Sequence, residues 1–170
     1  LRQMIKAGCE YAIIETTSQG IEQFRHRFIN YDALVFTGLY PEHIEAHGGF
    51  ENYKRAKGKL FDHLSKCQPK YINDKKKVQP IRNEIKKIDL ERVPKTIIVN
   101  GDDEQAEYFL NFKAEEKIIY QIAHNTKHVT QIREDREITA SNAAAKSDGL
   151  QFFVEGVRFN LQLMGEFNIG

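Results

Sequence analysis

The chain has 170 residues and a formal net charge of +1. That length accommodates one domain with a real core, and the near-balance of charge excludes a molecule that grips nucleic acid through its overall field. Two cysteines, Cys9 and Cys67, supply no disulfide framework and fit a reducing cytoplasm; no apolar run reaches the roughly 18 residues of a membrane span, and no signal peptide is visible.

Read in chain order, apolar runs alternate with helical patterns. The run "CEYAIIET" (9–16) is rich in β-formers and ends in an acid, and "YDALVFTGL" (31–39) is a second. "GGFENYKRAKGKLFDHLSK" then sets Phe50, Tyr53, Ala56, Leu60 and Leu64 on one helical stripe, with Lys54, Lys57 and Asp62 largely elsewhere. "VPKTIIVNGDD" (93–103) is a third strand, and "DDEQAEYFLNF" follows it with acids where a helix N-terminus favours them. "EKIIYQIA" (116–123) is a fourth. Apolar strands without alternation predict a parallel sheet buried on both faces, and their alternation with helices predicts an α/β fold. Around Glu155-Gly156, "GLQFFVEGVRFNLQLMG" (149–165) predicts a hairpin, a small antiparallel section attached to that sheet. Between them, residues 67–95 form a basic insertion whose lysines and arginines outnumber Asp74, Glu84, Asp89 and Glu91. A solvated face is the bland reading of it, and a binding patch the sharp one.

Ligands of doubly wound sheets bind beyond the carboxyl ends of the strands. Three expected strands end there in polar groups: "ETTSQG" from Glu15, "TGLYPEH" to His43, and "NGDD" from Asn100. One crevice would collect Glu15, Thr17, Ser18, His43, Asn100 and Asp102. Glu15 is either a ligand for a hard cation such as Mg²⁺ or simply a cap or an exposed strand end. His43 is a site residue or a surface loop histidine. His47, beside Gly48-Gly49, reads as structural, and Lys57 alone reads as a solvated helix lysine. Thr17, Ser18, Gln23 and Arg25 either cap a helix or bind an anion, with Arg25 near His26 and Arg27 in a small basic cluster. Asn100 and the two following aspartates could turn the chain and cap the next helix.

Together these blocks resemble the central, ATP-binding domain of the Mur ligases, nearest to the E-type branch that extends a UDP-N-acetylmuramoyl dipeptide. "AGCEYAIIETTSQGIEQFR" and "ALVFTGLYPEHIEAHGGFENYKRAKGKLF" are similar to the family's E-V-S-S-x-G-L-x-Q-x-R, T-N-L-x-x-D-H-L-D-Y-H-G and Y-x-x-A-K patterns. "IIVNGDDE" and "LMGEFNIG" are similar to its V-N-x-D-D and L-x-G-x-F-N-V-x-N. The resemblance implies a P-loop-NTPase-like, mostly parallel sheet flanked by helices. It implies ATP as a substrate, Mg²⁺, a UDP-N-acetylmuramoyl-peptide and an amino acid as partners, and an acyl-phosphate route to a new amide. By position, Glu15 and His43 would hold Mg²⁺, and Lys57 matches a lysine that is carbamylated in the family and could also serve a metal. Thr17, Ser18, Gln23 and Arg25 would lie against the muramoyl-peptide, and Asn100 and Asn168 near the adenine. A cytoplasmic monomer with no nucleic-acid or membrane partner is expected.

The chain departs from the pattern in places. The Asn of T-N-L is Gly38, the aspartates around His43 are Glu42 and Glu45, and E-V-S-S is Glu15-Thr16-Thr17-Ser18. No G-x-x-x-x-G-K-[ST] phosphate loop occurs in these residues. Leu1 is not methionine, and nothing after "MGEFNIG" marks a stop. The expectation is therefore that residues 1–170 are part of a Mur central domain, lacking the upstream phosphate loop and the amino-acid-binding C-terminal domain, and inactive alone. Competing readings are a folylpolyglutamate or cyanophycin synthetase relative, a degenerate Mur-like domain that binds a nucleotide-sugar or a partner without catalysis, and nucleic-acid binding through residues 67–95.

Overall fold

A computed structural model describes residues 1–40, 44–72, 91–122, 136–146 and 149–162 of the chain. It opens with two short helices, α1 (Arg2–Lys6) and α2 (Ser18–Glu22), and the strand β1 (Ala33–Phe36). A 3-10 turn (Ile44–His47) leads into α3 (Phe50–Lys66), followed by the short strands β2 (Lys70–Tyr71) and β3 (Arg92–Val93). Next come β4 (Thr96–Asn100), α4 (Ala106–Leu110), β5 (Glu116–Ile122), β6 (Arg136–Lys146), β7 (Gly149–Val154) and β8 (Val157–Leu161). Six strands make one sheet in the order β1-β4-β5-β6-β7-β8. β1, β4, β5 and β6 run parallel, and β7 and β8 add antiparallel at the far edge. The α/β architecture with a small antiparallel section is thus the one expected from the sequence.

Sequence patterning explains most of this. β4 is buried along nearly its whole length, as a strand with neighbours on both sides and a helix against it should be. In the α3 helix, Tyr53, Ala56, Leu60, Phe61 and Leu64 are buried, at the 3-4-1-3 spacing of one helical face. That face meets Leu34 and Phe36 of β1, Ile97 and Val99 of β4, and Phe109 and Leu110 of α4 in one core. Phe109 stacks on Phe36 with ring centroids 3.9 Å apart and lies 4.8 Å from Phe61. Each such fully buried side chain contributes about 1.5–3 kcal/mol. Between β7 and β8, Glu155 and Gly156 take φ of 49° and 78°. Two consecutive left-handed residues form the mirror-image turn whose twist suits a hairpin.

Three expectations change. Residues 9–16 are not a strand; they form no element, and Tyr11 and Ile13 are 86% and 98% exposed. β-branched composition favours a pleated surface, but a strand exists only where a neighbour completes its ladder. Among the described residues none pairs with this run. Second, β1 alternates, with Ala33 and Val35 exposed, so the sheet is not covered on both faces there. Third, β6 was not anticipated; it carries a register shift between Ser141 and Ala144, where Asn142 has φ 53°. The ends of the basic insertion are joined by β2 and β3, which pair antiparallel; residues 73–90, which hold most of it, lie outside the described residues.

Two polar clusters sit within this framework. Lys95 is 5% exposed, and its ammonium donates to Asn30 Oδ1 (3.0 Å), to the Tyr31 carbonyl and to Asp32 Oδ1 (3.2 Å). Asp32 also accepts from Lys70 at 2.6 Å. Burial works against the Asp32 charge, but the hydrogen bonds and charges of Lys70 and Lys95 outweigh it, and its pKa falls below the ordinary value.

The second cluster is His26, 5% exposed, whose ring meets His63 of α3 edge-on at 5.1 Å. Its Nδ1 has no hydrogen-bond partner. Burial first, then the nearby His63, Arg27 and Lys59, holds its pKa below the ordinary 6.5. A histidine depressed in the folded state binds fewer protons there than when unfolded. Stability is therefore fully present above about pH 6.5 and is lost as pH falls from that value towards the folded pKa. Urea midpoints of the wild type should drop between pH 7.5 and 5.5 by more than those of His26→Gln; equal drops would remove His26 as the cause.

Candidate active site

A cleft of about 1150 Å³ opens between the 9–18 segment, β1 and α3. Its polar lining includes Glu15, Thr17, Ser18, Thr37 and Lys57. These residues come from three elements, and the fold explains each placement. Glu15 ends the extended segment and is exposed. Thr17 is the N-cap of α2, its Oγ1 accepting the Gly20 N–H at 3.1 Å, the usual role of a hydroxyl at that position. Ser18, the first residue of α2, is 7% exposed. Thr37 and Gly38 follow the carboxyl end of β1, the edge where parallel sheets bind ligands.

Lys57 lies near the middle of α3. Its Nζ lies over the Tyr53 ring, 5.5 Å from the centroid. Burial pushes the pKa of its amine down, and the charge of Glu15 only partly restores it. A lysine whose ammonium form is disfavoured has a larger share of neutral, nucleophilic amine. Lys57 is therefore not the solvated helix lysine that its pattern alone predicts.

The other sequence candidates divide. Gln23 is the C-cap residue of α2 and is exposed. Arg25 is exposed too, but its Cδ lies 3.7 Å from where a Gly20 side chain would begin, so it lies against α2. Asn100 is buried and is not among the residues lining the cleft. Its Nδ2 donates to the Thr37 carbonyl at 3.0 Å and its Oδ1 accepts the Asp102 N–H at 3.0 Å. It pins together the ends of β1 and β4. Asp102 accepts the Ile122 N–H at 2.9 Å, leaving its Oδ1 buried without a partner, and it too is set back from the cleft. Asp103 accepts the Leu39 N–H and the Gln105 N–H at 2.8 and 2.7 Å, in line with the turn-forming reading of "NGDD". Burial, with Tyr40, Asp102 and Asp103 nearby, pushes the Tyr120 hydroxyl up to about 12. His43 and Asn168 lie outside the described residues.

Gly38, the departure from T-N-L, has a physical setting. Its φ is 153°, and an added Cβ would lie 3.2 Å from the Tyr40 ring and 3.3 Å from Asp103 Oδ2. A side chain there would be strained and crowded.

One site contact escaped the sequence. His47 Nε2 and Ser18 Oγ lie 2.9 Å apart. The neighbouring glycines pointed to a turn, and nothing local marked a partner 29 residues away.

Among the described residues, no group of three or more His, Cys, Asp or Glu is placed to hold a metal. The donors lining the cleft, the carboxylates of Glu10, Glu15 and Asp32 and several hydroxyls, are hard oxygen ligands of the kind Mg²⁺ accepts beside substrate phosphates. No helix among the described residues is long and apolar enough to cross a membrane.

Comparison with known proteins accords with this geometry. Residues 1–95 match the Mur ligase middle domain. The UDP-N-acetylmuramyl-tripeptide synthetase of Roseiflexus sp. (strain RS-1) is 30% identical over 99% of this chain and 30% of its own length. A UDP-N-acetylmuramoyl-L-alanyl-D-glutamate–2,6-diaminopimelate ligase of Geobacillus kaustophilus is 26% identical over 99% of this chain and 29% of its own. The similarly named ligase of Parabacteroides distasonis is 42% identical over 64 residues, 38% of this chain and 13% of its own length. The chain thus spans about 30% of the length of the curated relatives that it matches from end to end. With the middle-domain match covering more than half of its residues, and with its mostly parallel sheet, the chain belongs to the Mur ligase family.

Proposed function

We propose that this chain is part of an ATP-dependent carbon–nitrogen ligase of peptidoglycan precursor synthesis, adding an amino acid to a UDP-N-acetylmuramoyl-peptide in the cytoplasm as a monomer. The observation that carries the reading is Lys57: a lysine of depressed pKa, beside Glu15, in a cleft at the carboxyl end of a parallel sheet. The relatives named as UDP-N-acetylmuramyl-tripeptide synthetases and diaminopimelate ligases support the substrate class.

In this reaction the substrate's terminal carboxylate takes the γ-phosphoryl group of ATP, giving an acyl phosphate and ADP. The amine of the incoming amino acid then attacks the acyl carbon. A carbon–nitrogen bond forms, phosphate leaves with the carbon–oxygen bond pair, and the amine loses a proton. Such chemistry depends on positioning and charge neutralisation. Thr17, Ser18, Gln23 and Arg25 bind the anionic muramoyl-peptide. Glu15 and His43 hold Mg²⁺, which when bound neutralises phosphate charge. The neutral Lys57 amine adds CO₂, forming a nitrogen–carbon bond and releasing a proton, and the resulting carbamate gives the cleft a second anionic oxygen group. Asn100 keeps one amide proton and one lone pair for the adenine side, where Asn168 joins it. Residues 1–170 act as part of the central domain, and residues 67–95 are an insertion on it.

The test is an assay of the full-length protein with ATP, Mg²⁺, UDP-N-acetylmuramoyl-L-alanyl-D-glutamate and either diaminopimelate or lysine. Phosphate release should require both the acceptor and one of the amino acids, with a new amide seen by mass spectrometry. Absence of turnover with either amino acid would overturn the reading.

A further inference from the structure

We propose that His47 is a positioning residue of this site: its imidazole fixes the Ser18 hydroxyl so that it donates its proton into the cleft, to a phosphate or carboxylate oxygen of the substrate. The inference rests on the ligase reading above and names a residue that reading does not use.

The geometry starts from how firmly His47 is held. It ends the 3-10 turn, with the Gly48 and Gly49 N–H groups returning to the Glu45 and Ile44 carbonyls at 3.2 Å. Asn52 donates to the His47 carbonyl at 2.9 Å. The ring lies against Tyr53, centroids 5.4 Å apart. From this seat Nε2 reaches Ser18 Oγ at 2.9 Å. Ser18 is buried and lines the cleft. The contact therefore joins the start of α2 to the turn that precedes α3, and α3 carries Lys57.

The direction of the bond decides what Ser18 offers. If the ring accepts the hydroxyl proton, Ser18 shows only lone pairs to the cleft. If Nε2–H donates to Oγ, the hydroxyl proton is free to point outward. An anionic substrate selects the second arrangement, because a lone pair aimed at an oxyanion is repulsive. Thr17 stands beside it with its oxygen engaged in capping the helix, which leaves its proton free in the same way. His47 thus sets the polarity of the hydroxyl beside an anionic ligand.

Four variants of the full-length protein test this: Ser18→Ala, His47→Phe, His47→Gln and the double variant Ser18→Ala/His47→Phe. Glutamine places an amide N–H where Nε2 sits. Ser18→Ala and His47→Phe should each raise KM for the UDP-muramoyl substrate about tenfold, as expected for a lost hydrogen bond to a charged group. KM for ATP should not move. The double variant should be no worse than either single one, and His47→Gln should recover most of the affinity. Binding of UDP alone, followed by calorimetry in the same variants, separates the two oxygen sources. A weaker UDP complex assigns the phosphate; a defect seen only with the peptide-bearing substrate assigns the carboxylate. A His47→Phe protein with lowered Tm but unchanged KM, additive effects in the double variant, or a glutamine no better than phenylalanine would each overturn the inference. A wild type without turnover overturns the ligase reading and this inference together; an active wild type with KM-neutral His47 variants overturns the inference alone.

Discussion

Replacing Lys57 with alanine in the full-length protein should remove amide formation, with a loss in kcat on the order of 10²-fold or more, the scale of deleting a preorganised electrostatic contact. The fold should survive. The Lys57 amine lies over the Tyr53 ring, a contact whose removal costs about 1 kcal/mol or less, and the core face of α3 belongs to Tyr53, Ala56, Leu60, Phe61 and Leu64. The chemical argument concerns charge. An ordinary ammonium beside Glu15 would neutralise that carboxylate and oppose cation binding. The depressed pKa leaves more neutral amine, and carbamate formation reverses the sign of the group. Lys57→Arg, which keeps a cation but cannot be carbamylated, should be as inactive as alanine. Lys57→Glu, which keeps an anion in the cleft, should retain more activity than either. A carbonyl resonance from ¹³C-labelled CO₂, present in the wild type and lost in Lys57→Arg, would report the modification directly. Full activity in Lys57→Ala or Lys57→Arg would dispose of the role assigned to this lysine.

The largest effect on stability should come from Lys95. Its ammonium is almost fully enclosed and holds three acceptors: Asn30 Oδ1, the Tyr31 carbonyl and Asp32. Lys95→Met keeps much of the volume and removes all three bonds. Breaking a buried pair on one side costs more than the pair contributes as a whole, because the remaining groups lose their partner inside the protein. Asp32 is partly open to solvent and keeps Lys70, which reduces the penalty to about 2–3 kcal/mol. The Lys59–Glu22 pair is exposed on both sides, and its removal should cost no more than about 1 kcal/mol. Urea denaturation of the two variants measures the contrast. Equal midpoints would show that the buried cluster does not hold the amino ends of β1 and β4 together. The cluster also has an acid limit. The Asp32 pKa is lower folded than unfolded, so its stabilisation is present above the unfolded value near 4 and disappears as pH falls through the folded one.

Much of this molecule could be read from local pattern. The period of the α3 stripe, the apolar runs of β1, β4 and β5, and the Glu155-Gly156 turn each depend on neighbours within a few residues, and each formed as expected. The family motifs likewise marked Glu15, Thr17, Ser18 and Lys57, which share one cleft. Distance in the chain is where the pattern stopped. The 9–16 run has the composition of a strand and is not one, because a ladder needs a second strand and composition cannot supply it. Asn100 reads as a residue of the sheet edge, and nothing near it in sequence shows that the Thr37 carbonyl 63 residues away takes one of its two amide protons. Lys95 and Lys57 are both single lysines in mixed sequence; only packing makes one a buried tie and the other a depressed amine. His47 looked like a turn residue until the fold carried Ser18 to its ring. By itself the sequence determined the period of each helix and strand, the turn chemistry and the residue types available at the sheet edge, since these follow from backbone sterics and near neighbours. The tertiary structure decided which polar groups lose water and to which partners they turn, because desolvation and hydrogen bonding are properties of the packed chain.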